Sequence, residues 1–229
     1  MEGNTLKLAS NQVLRIGVFI LLAISSITSA CNNSTNSNAQ TKINDYSSNP
    51  PSNYDTPTTT PSNSTQTFKN YVKTSCNSTT YPSICYKTLS PYASKIEGDP
   101  MKLCNVSLSL ALKAANKASS TISKILKSNN LTKIAKEVVQ DCFGDVKDSI
   151  GELRDSLDAM GNLDGVDRSF QISNIKTWLS GSITNDQTCS DEFDEMNVDA
   201  TLRDKIRKIV LDVARKTSNA LYFVNHNLY

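Results

Sequence analysis

The chain has 229 residues, 20% of them charged, and a formal net charge of +2. That length suits one substantial domain, and a nearly balanced charge with no long basic run gives no support to nucleic acid as a partner. Residues 1–30 read as a secretory signal peptide: Lys7 and Arg15 supply a positive start, Ile16–Ala23 with Ile24 and Ile27 an apolar middle, and Thr28-Ser29-Ala30 small residues before a cleavage point. The apolar run is shorter than the roughly 20 residues of a membrane span, so no span is expected in the mature chain; an uncleaved anchor is the alternative. Residues 31–66 are rich in Asn, Ser, Thr and Pro, with Ile43, Tyr46 and Tyr54 as large apolar side chains before Phe68. Such a segment cannot bury enough surface to offset its ordering entropy and is expected to be a disordered tether. The domain is expected over 67–229.

From Phe68 the apolar spacing is helical. A short hairpin is expected from Phe68–Thr74 and Pro82–Leu89, with Pro82 in a first helical turn and Pro91 ending or bending the second piece. Asp99-Pro100 reads as an N-cap and first position of a long helix whose inner row is Leu103, Val106, Leu110, Ala114, Ala118, Ile122 and Ile125. A second runs from about Thr132 to Met160 on Ile134, Val138, Cys142, Val146, Ile150, Leu153 and Leu157, and Gly161 supplies a stop. A third is expected over Arg168–Ile183, followed by a loop at Thr184–Glu195 carrying Cys189. The last starts after the cap Asp199 and reaches about Asn225, with Leu202, Ile206, Ile209, Val213, Thr217, Ala220 and Val224 inward. Four amphipathic helices with short connections make an all-α, antiparallel four-helix bundle the economical fold.

The sequence offers little catalytic chemistry. A di-iron bundle needs Glu-x-x-His pairs, and the one histidine, His226, lies near the C-terminal end, so no metal is expected. No nucleophile elbow and no glycine-rich phosphate loop are present, and no cofactor is expected. Carboxylates are plentiful enough for glycoside hydrolysis by residue type, but most lie between apolar rows, where they serve solubility. The expectation is a protein that is not an enzyme.

Six cysteines behind a signal peptide imply an oxidising compartment. Asn-x-Ser/Thr sequons at Asn32, Asn33, Asn63, Asn77, Asn105 and Asn130 agree with secretion, and glycosylation is expected at Asn63, Asn77, Asn105 and Asn130. An ordered set of motifs then accumulates along the chain: Cys76…Tyr81-Pro82…Cys85, the Asp99-Pro100 start, Cys142 in a long helix, and Thr177-Trp178-Leu179-Ser180. Thr188-Cys189-x-Asp191-x-Phe193 and Thr217-Ser218-Asn219-Ala220-Leu221 complete it. In these the chain resembles the plant invertase and pectin methylesterase inhibitor family over about Phe68–Asn227.

The resemblance implies disulfides Cys76–Cys85 and Cys142–Cys189, one connectivity of the many that the cysteines allow. In the loop-entropy account these stabilise by about 2.5 and about 4 kcal/mol. Cys104 is then expected as a buried or half-buried thiol, and Cys31 as the first residue of the mature chain. It further implies reversible 1:1 inhibition in the apoplast or cell wall, with the bundle covering the substrate cleft of a pectin methylesterase. The matching contact positions are Asp145, Asp148, Thr188 and Asp191. By their residue types alone, Asp145 and Asp148 read equally as a solvated helix face and Asp191 as a turn cap. Gly144 and Gly151 depart from the family, where acidic side chains can occur. The alternative target is an acid invertase; the run Val146–Met160 and the lack of a Pro-Lys-Phe tripeptide lean toward pectin methylesterase. A third reading is a non-inhibitory module of the kind that precedes some pectin methylesterase catalytic domains.

Overall fold

The structure is a computed structural model that describes residues 61–229, apart from Asn129, Asn197 and Tyr229. The expected signal peptide, Cys31, Asn32, Asn33 and most of the expected tether lie outside these residues. Helix α1 spans Pro61–Asn77 and α2 Pro82–Leu89; a 3-10 turn, Ser90–Tyr92, leads to the single-turn α3, Ala93–Ile96. Four long helices follow: α4 Pro100–Leu126, α5 Lys133–Met160, α6 Arg168–Glu195 and α7 Ala200–Asn227. They pack in a closed ring, α4 on α5, α5 on α6, α6 on α7 and α7 back on α4, as expected of an antiparallel four-helix bundle.

The helix starts are set by local chemistry. The Asp99 carboxylate accepts from the Lys102 amide at 2.7 Å and Pro100 fills the first turn, where its missing N–H costs nothing. The Thr132 hydroxyl accepts from the Ala135 amide at 3.2 Å, and Asp199 accepts from the Leu202 amide at 3.0 Å. Between α3 and α4 the chain reverses through two left-handed residues, Glu97 at φ 56° and Gly98 at φ 77°. Glycine adopts that conformation freely; Glu97, which does not, closes α3 by donating its amide to the Ala93 carbonyl at 2.9 Å, and its carboxylate pairs with Lys102 at the surface.

The hairpin is fastened twice. Cys76 and Cys85 form a disulfide with Cα atoms 5.5 Å apart, and the Thr79 hydroxyl donates to the Cys76 carbonyl at 2.8 Å in the intervening turn. Tyr81, which precedes α2, makes no cap with its own side chain. The buried Asn219 of α7 supplies one instead: its Oδ1 accepts from the Tyr81 amide and its Nδ2 donates to the Tyr81 carbonyl, both at 3.1 Å. Val72, Cys85, Leu89 and Ile96 thereby join the bundle's core as one continuous apolar cluster.

Four expectations are corrected. Residues 184–195 are not a loop: α6 continues through Cys189 to Glu195. Helix α1 starts at Pro61, inside the expected tether, and runs three residues beyond Thr74. Ile134, assigned to the inner row of α5, is 47% exposed, since it sits in the first turn ahead of the ring of packed helices. On α4, Leu108, Ala111 and Ala115 occupy the core, while Leu110 and Ala114 turn to the side and line a groove against α7. Gly161 does end α5, though with φ −71°, so the stop needs no left-handed residue.

Candidate functional site

Helices α5 and α6 are pinned by the disulfide Cys142–Cys189, whose Cα atoms are 4.4 Å apart. Two turns further along α5, the hydroxyls of Ser149 and Ser182 meet at 2.7 Å. Both pairs fit one antiparallel register, and that register sets Asp145 opposite Asp186 between them. Small serines in the inner rows let the helices approach, and Gly181 continues the gap: a Cβ placed there would meet the Glu152 carboxylate at 2.2 Å. Glu152 lies over this glycine and accepts from Asn185 Nδ2 at 3.0 Å.

Carboxyl groups therefore line both sides of the seam. Asp186 is wholly buried, and neither of its oxygens has a fixed hydrogen-bond partner. Burial pushes its carboxyl up to about 8; Glu152 and Asp145 add to the rise, and the Ser149 hydroxyl tempers it. The two observations are compatible, because a Ser182 hydroxyl that donates to Ser149 leaves the Ser149 proton free to turn toward Asp186. Asp145, half-buried, is raised to about 6, by desolvation first and then by Asp148 and Asp141. Glu192 is raised to about 7 by desolvation, Asp145, Asp141 and Glu195. Glu152 is raised as well, chiefly by desolvation. These carboxyls do not converge into a ligand set: among the described residues no group of three or more His, Cys, Asp or Glu could hold a metal ion.

Of the expected contact residues, Asp145 lies in the seam and Asp148 one turn on is exposed and acts on it electrostatically. Thr188 and Asp191 are exposed on α6, and Thr188 stands one turn from both Asn185 and Glu192. Asp191 lies inside a helix, so the turn-cap reading falls away. Glu152, Asp186 and Glu192 escaped the sequence reading. A signal was present: Ile172, Ile175, Leu179, Ser182, Asp186, Cys189 and Phe193 step by three and four without a break, but two polar members mask the row.

Cys104 is a buried free thiol, held up at about 11 chiefly by burial, with Asn227 Nδ2 3.8 Å from its sulfur. Asn77 and Asn130 are exposed at helix ends and Asn105 is exposed within α4; the side chain of Asn63 lies outside the described residues. None of the described helices is long and apolar enough to cross a membrane.

Comparisons with known proteins converge on one group. The family model "Plant invertase/pectin methylesterase inhibitor" matches residues 70–223. Pectinesterase inhibitor 10 of Arabidopsis thaliana is 41% identical over 165 residues, which are 71% of this chain and 52% of that protein, so the chain spans about half of that relative's length. Pectinesterase inhibitor 4 of the same plant is 37% identical over 180 residues, 77% of this chain and 90% of the relative. The fold is similar to the crystal structure of a mutant form of a pectin methylesterase inhibitor from Arabidopsis, with a TM-score of 0.55 at 16% identity over 67% of this chain and 95% of the other. The ordered cysteine, proline and Asn219 motifs, the disulfide-pinned bundle and these matches give one answer: the chain belongs to the plant invertase/pectin methylesterase inhibitor family.

Proposed function

We propose that this chain is a secreted inhibitor of pectin methylesterase that binds one enzyme molecule over its substrate cleft and so holds back demethylesterification of cell-wall pectin. Relatives that carry the name pectinesterase inhibitor support this reading. The observation that carries it to particular residues is the exposed edge that α5 and α6 offer, with Asp148 on one helix and Thr188 and Asp191 on the other, the two joined by Cys142–Cys189. Two long helices locked by a covalent bond and a serine contact present these side chains with little conformational freedom left to lose on binding. Asp145 supports the edge from the seam rather than standing on it. Residues 1–30 act as the leader and 31–60 as the tether, and Asn77 and Asn130 are the sequons best placed for glycans.

The test mixes the purified full chain with a plant pectin methylesterase and with an acid invertase and measures both activities. The expected outcome is saturable loss of pectin methylesterase activity at one inhibitor per enzyme, with invertase unaffected. The double variant Asp148→Asn with Asp191→Asn should weaken inhibition by about tenfold or more, as removing charges from a binding edge does. Inhibition of invertase alone would move the target, and inhibition of neither would leave a non-inhibitory module.

A further inference from the structure

The net charge of +2 conceals two opposite faces. Helices α4 and α7 together carry ten basic side chains and two acidic ones, whereas α5 and α6 carry six basic and twelve acidic. Because the helices close a ring in chain order, the α4/α7 pair lies across the bundle from the α5/α6 seam. A groove of about 630 Å³ runs between α4 and α7 where α2 meets them, within the roughly 300–1,000 Å³ of small-ligand sites. Its apolar floor includes Ile84, Leu110, Ala114 and Ile209. This is where Leu110 and Ala114 go when they leave the core row of α4.

The rims are cationic: Lys87 from α2, Lys113 and Lys117 from α4, and Lys208, Arg215 and Lys216 from α7. The sole carboxylate in the lining is Asp212, which pairs with Lys216. Arg215 lies over the Tyr81 ring, 5.8 Å from its centroid. Lys113 and Lys117 are one helical turn apart, so positive charge repeats about every 6 Å along that rim. Like charges gathered around one groove repel one another, and an anionic occupant would relieve that repulsion.

Shape and charge together select the occupant. Single ammonium groups repeated along an apolar floor suit a linear polymer with one carboxylate per unit and ring faces of C–H bonds. Phosphate backbones are better met by arginine forks, and unpaired bases need several stacking aromatics. Here five of the six cations are lysines, and Tyr92 is the aromatic residue in the lining. We propose that the α4/α7 groove binds an acidic polysaccharide, namely polyuronate freed of its methyl esters. The choice of polyuronate rests on the inhibitor reading, since the target enzyme turns uncharged methyl uronates into such carboxylates. The groove gives the inhibitor a hold on polymer that has already been processed.

The experiment is native affinity electrophoresis of the full chain in gels holding polygalacturonate or fully methylesterified pectin, at about 0.15 M salt. The same preparations are tested for complex formation with pectin methylesterase by size exclusion without pectin. Wild type should be retarded by polygalacturonate and not by the methylesterified polymer. The triple variant Lys113→Gln, Lys117→Gln, Lys208→Gln should lose about tenfold or more in apparent affinity. These exposed positions leave the core intact, so the variant should keep its helical circular dichroism and its enzyme complex. A wild-type chain that ignores polygalacturonate, or a folded triple variant retarded as strongly as wild type, overturns the proposal. So does stronger retardation by single-stranded DNA than by polygalacturonate at equal charge, since that marks a nucleic-acid groove. Retardation of a chain that forms no enzyme complex upholds the groove and removes the inhibitor reading, so the two can fail separately.

Discussion

Asp186 stands in the inner row of α6 between Ser182 and Cys189, at a position where a bundle ordinarily carries an aliphatic side chain. Its carboxyl is raised to about 8 by burial, against about 3.9 in an unfolded chain. The native state therefore keeps a proton that the unfolded state releases. Stability contributed by the protonated group is complete below about pH 4 and falls as pH rises through about 8. Asp145 and Glu192, raised to about 6 and about 7, act with the same sign. Urea unfolding at pH 5 and pH 8 should show a lower midpoint at the higher pH. Asp186→Asn should lessen that drop by something on the order of 1–3 kcal/mol, because the amide cannot ionise. A variant whose midpoint falls as far as wild type would locate the pH dependence elsewhere. The residue was invisible in the sequence because a helix ended at Ile183 leaves Asp186 in a loop, where an aspartate is unremarked. Only a row carried on to Cys189 and Phe193 makes it a buried acid.

Element boundaries were legible where local chemistry fixes them. Asp99-Pro100, Thr132 and Asp199 start helices for reasons contained in three or four residues, and the structure shows each cap formed. The second half of α6 was not legible, because a row diluted by Ser182 and Asp186 loses its apolar period and the helix is set by its partners across the seam. Leu110 and Ala114 failed for a related reason: a three-four step on one helix cannot say which of two neighbours its flank meets. The Asn219 clamp is another long-range feature, joining α7 to the start of α2 across 138 residues of sequence. Asn219→Ala should remove both hydrogen bonds and leave the Tyr81 amide and carbonyl without them, a loss of about 2–3 kcal/mol. Amide exchange should rise most sharply in α2, while α5 and α6 exchange at the rate set by global unfolding. The Cys76–Cys85 bridge keeps the hairpin closed in that variant, so loosening is expected at the α2/α7 contact. Uniform acceleration across all helices would mean that the clamp supports the bundle as a whole. The glycines of α5 bear on the same scale. A Cβ at Gly144 or Gly151 meets nothing within 4 Å, so Gly144→Ala should stabilise the helix by roughly 0.5–1 kcal/mol, measured as a higher Tm.

At the scale of the molecule, an acidic face proposed for the enzyme and a basic face proposed for the polymer sit on one small bundle. Whether they interfere is a question of distance against screening. Each helix with its side chains is about 10–12 Å across, so two layers separate the faces by about 20 Å. The Debye length is about 8 Å at 0.15 M salt and about 30 Å at 0.01 M. In the first condition each face is hidden from ligands on the other; in the second the field of Asp148, Asp191 and their neighbours reaches a polyanion approaching α4 and α7. Asp148→Asn with Asp191→Asn should therefore weaken the enzyme complex at about 0.15 M salt and leave retention on polygalacturonate as in wild type. At about 0.01 M the same variant should be retained more strongly than wild type, because two repelling charges are gone. Affinity electrophoresis at the two salt concentrations reads both effects from one set of samples. Equal strengthening at both would indicate a groove reshaped by the substitutions, since a screened long-range field cannot act alike in the two. No change at low salt would mean that the exposed acids are already neutralised by neighbouring cations, as Lys147 and Arg154 flank Asp148 in sequence.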